Sequence, residues 1–296
     1  MRRANRRTME DKVLDAIIFA ILAVVFVASV YPFFLAIVLS FNEGLDAQLG
    51  GIYLWPRKPT LQNYEQLFKD LSWVKAIGVT AARTVLGSFL TVMFTSVVAY
   101  GLSQRELIGR KAYMGVIIFA MYFSGGIIPY YAVLRSLRLL NSFAVYIAPS
   151  LLNIFYMLVA ISFFQGLPSE LNESARIDGA GEIKIFSSIV IPVSLPLIAT
   201  IAIFTSVGHW NSWYDSAFFI QNDNLRTLAY KLMAVIRRSY VDFNSAAATE
   251  AGTRIKATSL SVQLAAMTIA VTPILAVYPF FQRYIIAGTT LGSVKG

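Results

Sequence analysis

Long apolar runs separated by short polar segments dominate the chain. A helix needs about 20 mainly apolar residues to cross the hydrocarbon core of a bilayer. Six windows are long and apolar enough, at about 15–39, 78–103, 112–134, 143–165, 193–214 and 260–282. The pattern predicts an all-α polytopic membrane protein with six transmembrane helices, forming a single transmembrane domain over residues 1–296. The apolar run Ile17–Leu39 exceeds the roughly 7–15 residues of a signal sequence, so we expect it to be a membrane anchor.

Composition narrows the chemistry that the chain can perform. Charged residues make up 14% of it, whereas soluble proteins carry about 25%. The net charge of +9 favours anchoring at the membrane surface over binding to nucleic acid. The chain has no cysteine and one histidine, which excludes thiol chemistry and sites built from several histidines. We therefore expect no catalytic residue, no metal site and no cofactor in this chain.

Two short basic clusters set the expected orientation. They lie at Arg2–Arg7, before the first window, and at Arg105–Lys111, after the second. The positive-inside rule places both clusters in the cytoplasm, so six spans leave both termini inside. A further basic stretch, from Arg226 to Lys256, then lies outside. It is expected either to steer an anionic partner or to form a solvated loop at the lipid headgroups.

The apolar windows lack the groups that would drive transport. Proton- and ion-coupled transporters hold ionisable residues at membrane depth, but the last four windows contain no Asp, Glu, Lys or Arg, and the second contains only Arg83. Arg83 is expected to snorkel to the membrane surface or to pair with a neighbouring subunit. The sequence has no GxxxxGK[ST] phosphate loop. If the chain belongs to a pump, a partner must supply the energy.

A polar segment at 167–192 interrupts the second half of the apolar pattern. Ser169 and Glu170 favour a helix start, and Gly179, expected at positive φ, favours its end. One helix face is expected to carry Leu171, Ser174, Ala175 and Asp178, and a second helix, about Glu182–Val190, to carry Ile183, Phe186 and Val190. The product is a bent helix pair on the cytoplasmic face, which is either a docking surface that offers small residues and a phenylalanine or an ordinary interfacial connector.

The stretch ESARIDGAGEIKIFSSIVIPVSLP, which begins at Glu173, closely resembles the EAA-type loop of permease subunits in binding-protein-dependent ABC importers. Ser174 replaces the middle alanine of that pattern, and Ile191 replaces a leucine. In the family this cytoplasmic loop is the coupling helix, which sits in a groove of the ATPase subunit. The resemblance implies coupling roles for Glu173, Ser174, Ala175, Asp178, Gly179, Phe186 and Pro192.

Three further stretches, FSGGIIPYYAVLRSLRLLNS, WNSWYD and FFQRYIIAGTTLGSVKG, resemble the MalG-type subunit of carbohydrate importers. They are most similar to the subgroup for complex or uronate oligosaccharides such as alginate. The resemblance implies a multi-pass, non-catalytic permease subunit in the bacterial cytoplasmic (inner) membrane that forms half of a sugar pathway. It implies a second, MalF-like permease, two ATP-binding cassette subunits that bind ATP and Mg²⁺, an external solute-binding protein and contact with membrane lipid.

Four polar or aromatic residues are candidates for the substrate pathway, namely Asn153, Tyr156, Trp210 and Asn211. Hydrogen bonds between helices and an interfacial aromatic belt explain the same residues equally simply. His209 is expected to be a packed or pore-lining residue. Gly125, Gly126 and Pro129 are expected either to pack closely or to form a gate hinge. The alternative functions are a permease for another solute class, a non-ABC membrane enzyme and a secondary transporter.

Overall fold

Helices account for most of the chain. The computed structural model describes residues 9–244 and 259–291; Arg2–Arg7, Arg254 and Lys256 lie outside them. In chain order the helices are α1 Met9–Ser40, α2 Gly44–Gln48, α3 Gln62–Lys69, α4 Leu71–Ser103, α5 Arg110–Tyr122, α6 Ile127–Ser136, α7 Ile154–Gln165, α8 Ser169–Ile177, α9 Glu182–Ile185, α10 Ile191–Val193, α11 Leu195–Asn211, α12 Tyr214–Phe219, α13 Leu228–Asn244 and α14 Ser259–Leu291. Short 3₁₀ turns cover Phe143–Tyr146, Ala148–Ser150 and Asp223–Leu225, and a π-helical turn covers Phe186–Val190.

The chain forms two compact units. The first comprises the described parts of Met1–Lys69 and Val235–Ile269, and the second those of Asp70–Ala234 and Ala270–Gly296. In the first unit, α1 ends at Ser40, and the chain returns to the same place through a backbone bridge between Asn42 and Pro59. The second unit contains most of the predicted windows.

Within residues 9–244 and 259–291, three unbroken helices are long and apolar enough to cross a membrane, and each coincides with a predicted window. These are α1, α4 and the segment Leu260–Val277 of α14. The other three windows correspond to helix pairs with bends of 120° between α5 and α6, 40° before α7, and 81° before α11. Length and composition allow six crossings if each bent pair spans once. The six-span count therefore stays a prediction.

The bend between α5 and α6 has a backbone cause. Gly126, at the start of α6, has φ of +77°, a conformation that glycine adopts without steric cost. Pro129 lies in the first turn of α6, where its missing N–H has no helical partner to lose. The predicted window 112–134 is therefore not one continuous helix, because the helix breaks at 123–126, before Pro129.

Helix α4 is the central element of the second unit, and it packs against α7 and α11. Its buried side carries small and hydroxylic residues, including Gly87, Ser88, Thr91 and Thr95, which let neighbouring helices approach closely. Towards its end α4 enters an apolar cluster with α7 and the segment 167–192. Helices α4, α7 and α11 therefore adjoin both the candidate pathway residues and the segment 167–192.

Candidate functional site

A cavity of about 290 Å³ lies between α4, the start of α7 and α11 in the second unit. Most of its lining is hydroxylic, amide or aromatic. The lining residues are Arg83, Thr91, Pro149, Ser150, Leu152, Asn153, Tyr156, Phe204, Thr205, Gly208, His209 and Ser212.

Arg83 is held at one wall of this cavity by other parts of the same chain. It is 3% exposed and forms an ion pair with Asp215. Its guanidinium also donates to the carbonyl oxygen of Ser212 at 3.3 Å and lies 4.6 Å from the ring centre of Tyr146. The expectation that Arg83 snorkels or pairs with a neighbouring subunit is wrong, because Asp215 neutralises it internally. Sequence spacing gave no sign of this pair, whose members are 132 residues apart.

His209 is packed between α11 and α4 and lines the cavity, as expected. It is 6% exposed, and its Nδ1 accepts a long hydrogen bond of 3.4 Å from Nε of Arg83. The ring lies directly over Gly87, where an added Cβ would come within 2.7 Å of Cε1 of the imidazole. Gly87 is thus a required small residue that the sequence reading missed.

Two of the four candidate pathway residues line the cavity. Asn153 caps α7, since its side chain accepts a hydrogen bond of 3.1 Å from the backbone N–H of Tyr156. Tyr156 stacks towards Phe204, with 6.4 Å between ring centres. Trp210 instead donates its indole N–H to the carbonyl oxygen of Ala270 at 2.8 Å. Asn211 is exposed at the end of α11 and is not among the lining residues.

The chemistry of the cavity suits a neutral, hydroxyl-rich ligand. Arg83 is the only charged residue in its described lining, and Asp215 compensates that charge. Hydroxyl and amide groups can exchange hydrogen bonds with a ligand, and Tyr156 and Phe204 offer ring faces. Within residues 9–244 and 259–291, no three His, Asp or Glu side chains group closely enough to hold a metal ion.

The segment 167–192 forms the expected bent helix pair, which we call the elbow. Helix α8 ends in a Schellman motif: the N–H of Ala180 donates to Ala175 O at 2.9 Å, and that of Gly179 donates to Arg176 O at 3.0 Å. Gly179 has φ of +78°, as expected. An added Cβ there would meet nothing within 4 Å, so glycine is required by the backbone and not by space.

Glu182 ties the elbow to α4. Its Oε2 accepts a hydrogen bond of 2.8 Å from the hydroxyl of Tyr100, and its Oε1 accepts one of 3.0 Å from Nε of Arg176. The ring of Tyr100 also packs on Phe186, with 5.1 Å between ring centres. The sequence reading missed Tyr100 and Glu182, because their contact appears only once α4 and α9 are brought together.

The elbow turns different side chains inward from those expected. Ala175 is 8% exposed and belongs to the apolar cluster with α4 and α7, and Phe186 packs against that cluster. Ala175 is thus buried inside the elbow and Phe186 is half-buried, and the coupling roles implied for these two residues stay a prediction. The outward positions include Glu173, Ser174, Asp178 and Pro192.

A π-helical turn explains why Ile183 does not share a buried face with Phe186 and Val190, although the sequence predicted that it would. Ile185 and Val190 are buried on one side, whereas Ile183 is 85% exposed. The turn Phe186–Val190 holds more residues than an α-helical turn. It therefore places Ile185, five residues before Val190, on the same side as Val190, which a period of 3.6 residues does not predict.

The sequence is similar to those of known proteins over nearly its whole length. No family model matches the sequence. The chain is 36% identical to Protein LplC of Bacillus subtilis (strain 168) over 291 residues, which are 98% of this chain and 97% of LplC. It is 35% identical over 290 residues to the polygalacturonan/rhamnogalacturonan transport system permease protein YtcP of the same strain, covering 97% of this chain and all of YtcP. It is 28% identical over 303 residues to the melibiose/raffinose/stachyose import permease protein MelC, covering both chains fully.

A solved structure shares the fold. It is the crystal structure of a bacterial ABC transporter involved in the import of the acidic polysaccharide alginate. The TM-score is 0.83 at 22% sequence identity, over 94% of this chain and 98% of the matched chain.

Proposed function

Because the chain belongs to the family of permease components of ABC carbohydrate importers, we propose that it forms half of the path of an oligosaccharide across the bacterial cytoplasmic membrane. A second, MalF-like permease forms the other half. Two ATP-binding cassette subunits bind ATP and Mg²⁺ and hydrolyse the nucleotide, and an external solute-binding protein delivers the sugar. This chain is a transport component without a catalytic step of its own.

The observation that carries this proposal is the rigid connection between the cavity and the elbow. Arg83 at the cavity and Tyr100 at the elbow lie on the same helix, α4, which rises by about 25 Å between them. At the elbow end, Tyr100 binds Glu182, and the buried cluster joins α4 and α7 to Ala175, Ile185 and Val190. A displacement of the elbow therefore moves the helices that line the cavity, which is what alternating access requires.

We assign the docking surface for the ATPase to the tip of the elbow. Ile177 and Ile183 flank the turn at Gly179 and are 86% and 85% exposed. Exposed apolar side chains of this kind mark interaction sites. Glu173, Ser174, Asp178, Gly179 and Pro192 contact the groove around these two apolar side chains. Ala175 and Phe186 act inside the elbow by fixing it to α4.

The substrate that we propose is an acidic oligosaccharide. The names of two similar proteins support it, since YtcP is named for polygalacturonan and rhamnogalacturonan and the solved transporter for the acidic polysaccharide alginate. The cavity itself has no free cation in its described lining, so this chain contacts hydroxyls and ring faces. The carboxylates are then matched by groups of another subunit. A neutral oligosaccharide is the second candidate, favoured by the same neutral lining and by MelC.

The arrangement in the membrane follows from the basic clusters. We propose that residues 1–296 form one transmembrane domain with six crossings. Both termini and the elbow are cytoplasmic, and 215–258 lies outside.

Uptake of labelled sugar by the assembled importer tests the function. The chain is reconstituted with its partner permease, ATPase and binding protein, and uptake and hydrolysis are measured with oligogalacturonate, oligoalginate and raffinose as competitors. The acidic oligosaccharides are expected to compete and to stimulate hydrolysis. Competition by raffinose alone would support the neutral alternative. Uptake driven by an ion gradient without ATP would overturn the proposal.

A further inference from the structure

The chain that follows α1 makes a closed loop. Besides the bridge between Asn42 and Pro59, the N–H of Thr60 donates to Phe41 O at 2.7 Å and that of Glu43 donates to Lys58 O at 2.9 Å. Residues 44–57 therefore leave from the end of α1 and return to it.

Asp46 fixes the base of this loop. It is 5% exposed, and its carboxylate accepts hydrogen bonds of 3.0 Å from the side-chain amide of Asn42 and from Nε of Arg57. The Asn42 amide, with the positive charge of Arg57 beside it, lowers the pKa of Asp46. Arg57 also donates to Gly50 O at 3.3 Å. These hydrogen bonds hold the loop in one orientation relative to the end of α1.

The tip of the loop lies back along α1 and not beyond its end. The hydroxyl of Tyr31 donates to Tyr53 O at 3.4 Å. Between Tyr31 and Ser40 the helix rises by about 13 Å, so Tyr53 lies beside an apolar part of α1. Burial along α1 agrees, since residues 9–30 are all exposed and the first half-buried residue is Tyr31.

The side chains at the tip are apolar and uncovered. Leu49 is 81% exposed, Tyr53 66%, Leu54 68% and Trp55 79%. Removing such side chains from water is favourable in proportion to the apolar area that is covered. Trp and Tyr prefer the boundary between headgroups and acyl chains. Arg57 and Lys58, which follow at once, have side chains that are 48% and 62% exposed.

We propose that Leu49–Trp55 is a second membrane anchor that inserts into the leaflet in which α1 ends. Tyr53, Leu54 and Trp55 enter the boundary between headgroups and acyl chains, while Arg57 and Lys58 lie at the level of the lipid phosphates. The occupant is phospholipid and not a protein, because the tip continues the apolar surface of α1 at the depth of Tyr31. The anchor holds the end of α1 at a fixed depth.

Spin labels test this insertion directly, because the chain contains no cysteine. Trp55→Cys and Leu54→Cys are each labelled with a nitroxide in the full chain, reconstituted in vesicles of phosphatidylcholine and phosphatidylglycerol in equal parts. Leu54→Cys keeps Trp55, so a shared result cannot come from loss of the indole. Gln66→Cys, exposed on the polar helix α3, is the matched control.

The readout is the accessibility of each label to oxygen, which concentrates in the bilayer, and to a water-soluble nickel chelate. Labels at 54 and 55 are expected to favour oxygen, and the label at 66 to favour nickel. Nickel access at 54 and 55 equal to that at 66 would overturn the proposal. Shielding of both labels from both reagents would also overturn it, since a protein segment would then cover the tip.

Discussion

Arg83 in α4 forms a buried ion pair with Asp215 in α12, across 132 residues of sequence. The side chain of Arg83 is 4% exposed and that of Asp215 is 21% exposed. Tyr146 covers the guanidinium. The pair thus closes one wall of the cavity and joins α4 to the chain that follows α11.

Breaking this pair should cost far more than losing a surface contact. Asp215→Asn leaves Arg83 buried without its counter-charge and is expected to lower the free energy of unfolding by about 3–5 kcal/mol. The double variant Arg83→Met with Asp215→Asn should recover most of that loss. Unfolding in mixed micelles measures both. Asp223→Asn is the control, because Asp223 is 90% exposed beside Arg226 and its loss should cost less than about 1 kcal/mol. Equal losses for the two single variants would contradict the prediction.

The hydrogen bond between Tyr100 and Glu182 should matter for coupling more than for stability. Tyr100→Phe keeps the ring on Phe186 and removes only the hydroxyl, so the free energy of unfolding should fall by about 1 kcal/mol. Substrate-stimulated ATP hydrolysis should fall several-fold while ATPase recruitment is unchanged. Tyr100→Ala, which also removes the ring, should lower both. Normal stimulation in Tyr100→Phe would show that the hydroxyl does not transmit the motion.

Two glycines of the elbow provide a matched pair of variants. A Cβ added at Gly179 or at Gly181 would meet no other atom within 4 Å. The two residues differ in backbone conformation, since φ is +78° at Gly179 and −74° at Gly181. Gly179→Val is therefore strained and Gly181→Val is not. We expect Gly179→Val to insert normally yet to recruit the ATPase poorly, as measured by copurification. If both variants recruit the ATPase equally, the turn geometry is not part of the docking surface.

The proposed orientation can be mapped with single cysteines. A cysteine in place of Asp223 should react with a membrane-impermeant maleimide in intact spheroplasts, because we place 215–258 outside. One in place of Ile177, which is 86% exposed at the elbow, should react only after permeabilisation when the chain is expressed without its ATPase. The reverse pattern would invert the orientation, and labelling of both in intact spheroplasts would refute the six-span arrangement.

Two cations of the basic stretch that we propose to lie outside, Arg226 and Lys231, are already engaged within the chain. Arg226 donates to the carbonyl oxygen of Ser216 and lies 4.3 Å from the ring centre of Tyr230. The ammonium group of Lys231 donates a hydrogen bond to the hydroxyl of Ser72. Arg237 is exposed, so Arg237→Gln should slow uptake of an acidic oligosaccharide at low salt and have little effect at high salt. Arg226→Gln, the comparison variant, should affect stability at every salt concentration. An uptake deficit in Arg237→Gln that does not depend on salt would refute steering.

The sequence predicted the features that depend on local chemistry. The apolar windows coincide with helices suited to a membrane, and Gly179 has the expected positive φ. These features follow from window hydropathy and from the steric freedom of one residue, so no tertiary contact is needed to find them.

Features that depend on contacts between distant segments could not be predicted. The partner of Arg83 is Asp215, which lies just beyond the 193–214 window, and the π-helical turn places Ile185 instead of Ile183 on the buried side of the elbow. The break at Gly126 depends on backbone conformation in a segment whose hydropathy looks continuous. The first feature depends on tertiary packing, whereas the π-helical turn and the break at Gly126 are changes of backbone conformation, and a periodic pattern that assumes an undisturbed helix predicts none of the three.

The close contact between Gly87 and His209 has a consequence for the proposed transport cycle. The imidazole sits on the backbone of α4, and a Cβ at position 87 would lie 2.7 Å from its Cε1. We therefore expect α4 and α11 to keep this contact and to move as one unit. The bends at Gly126 and before α11 are then the places where angles between helices can change.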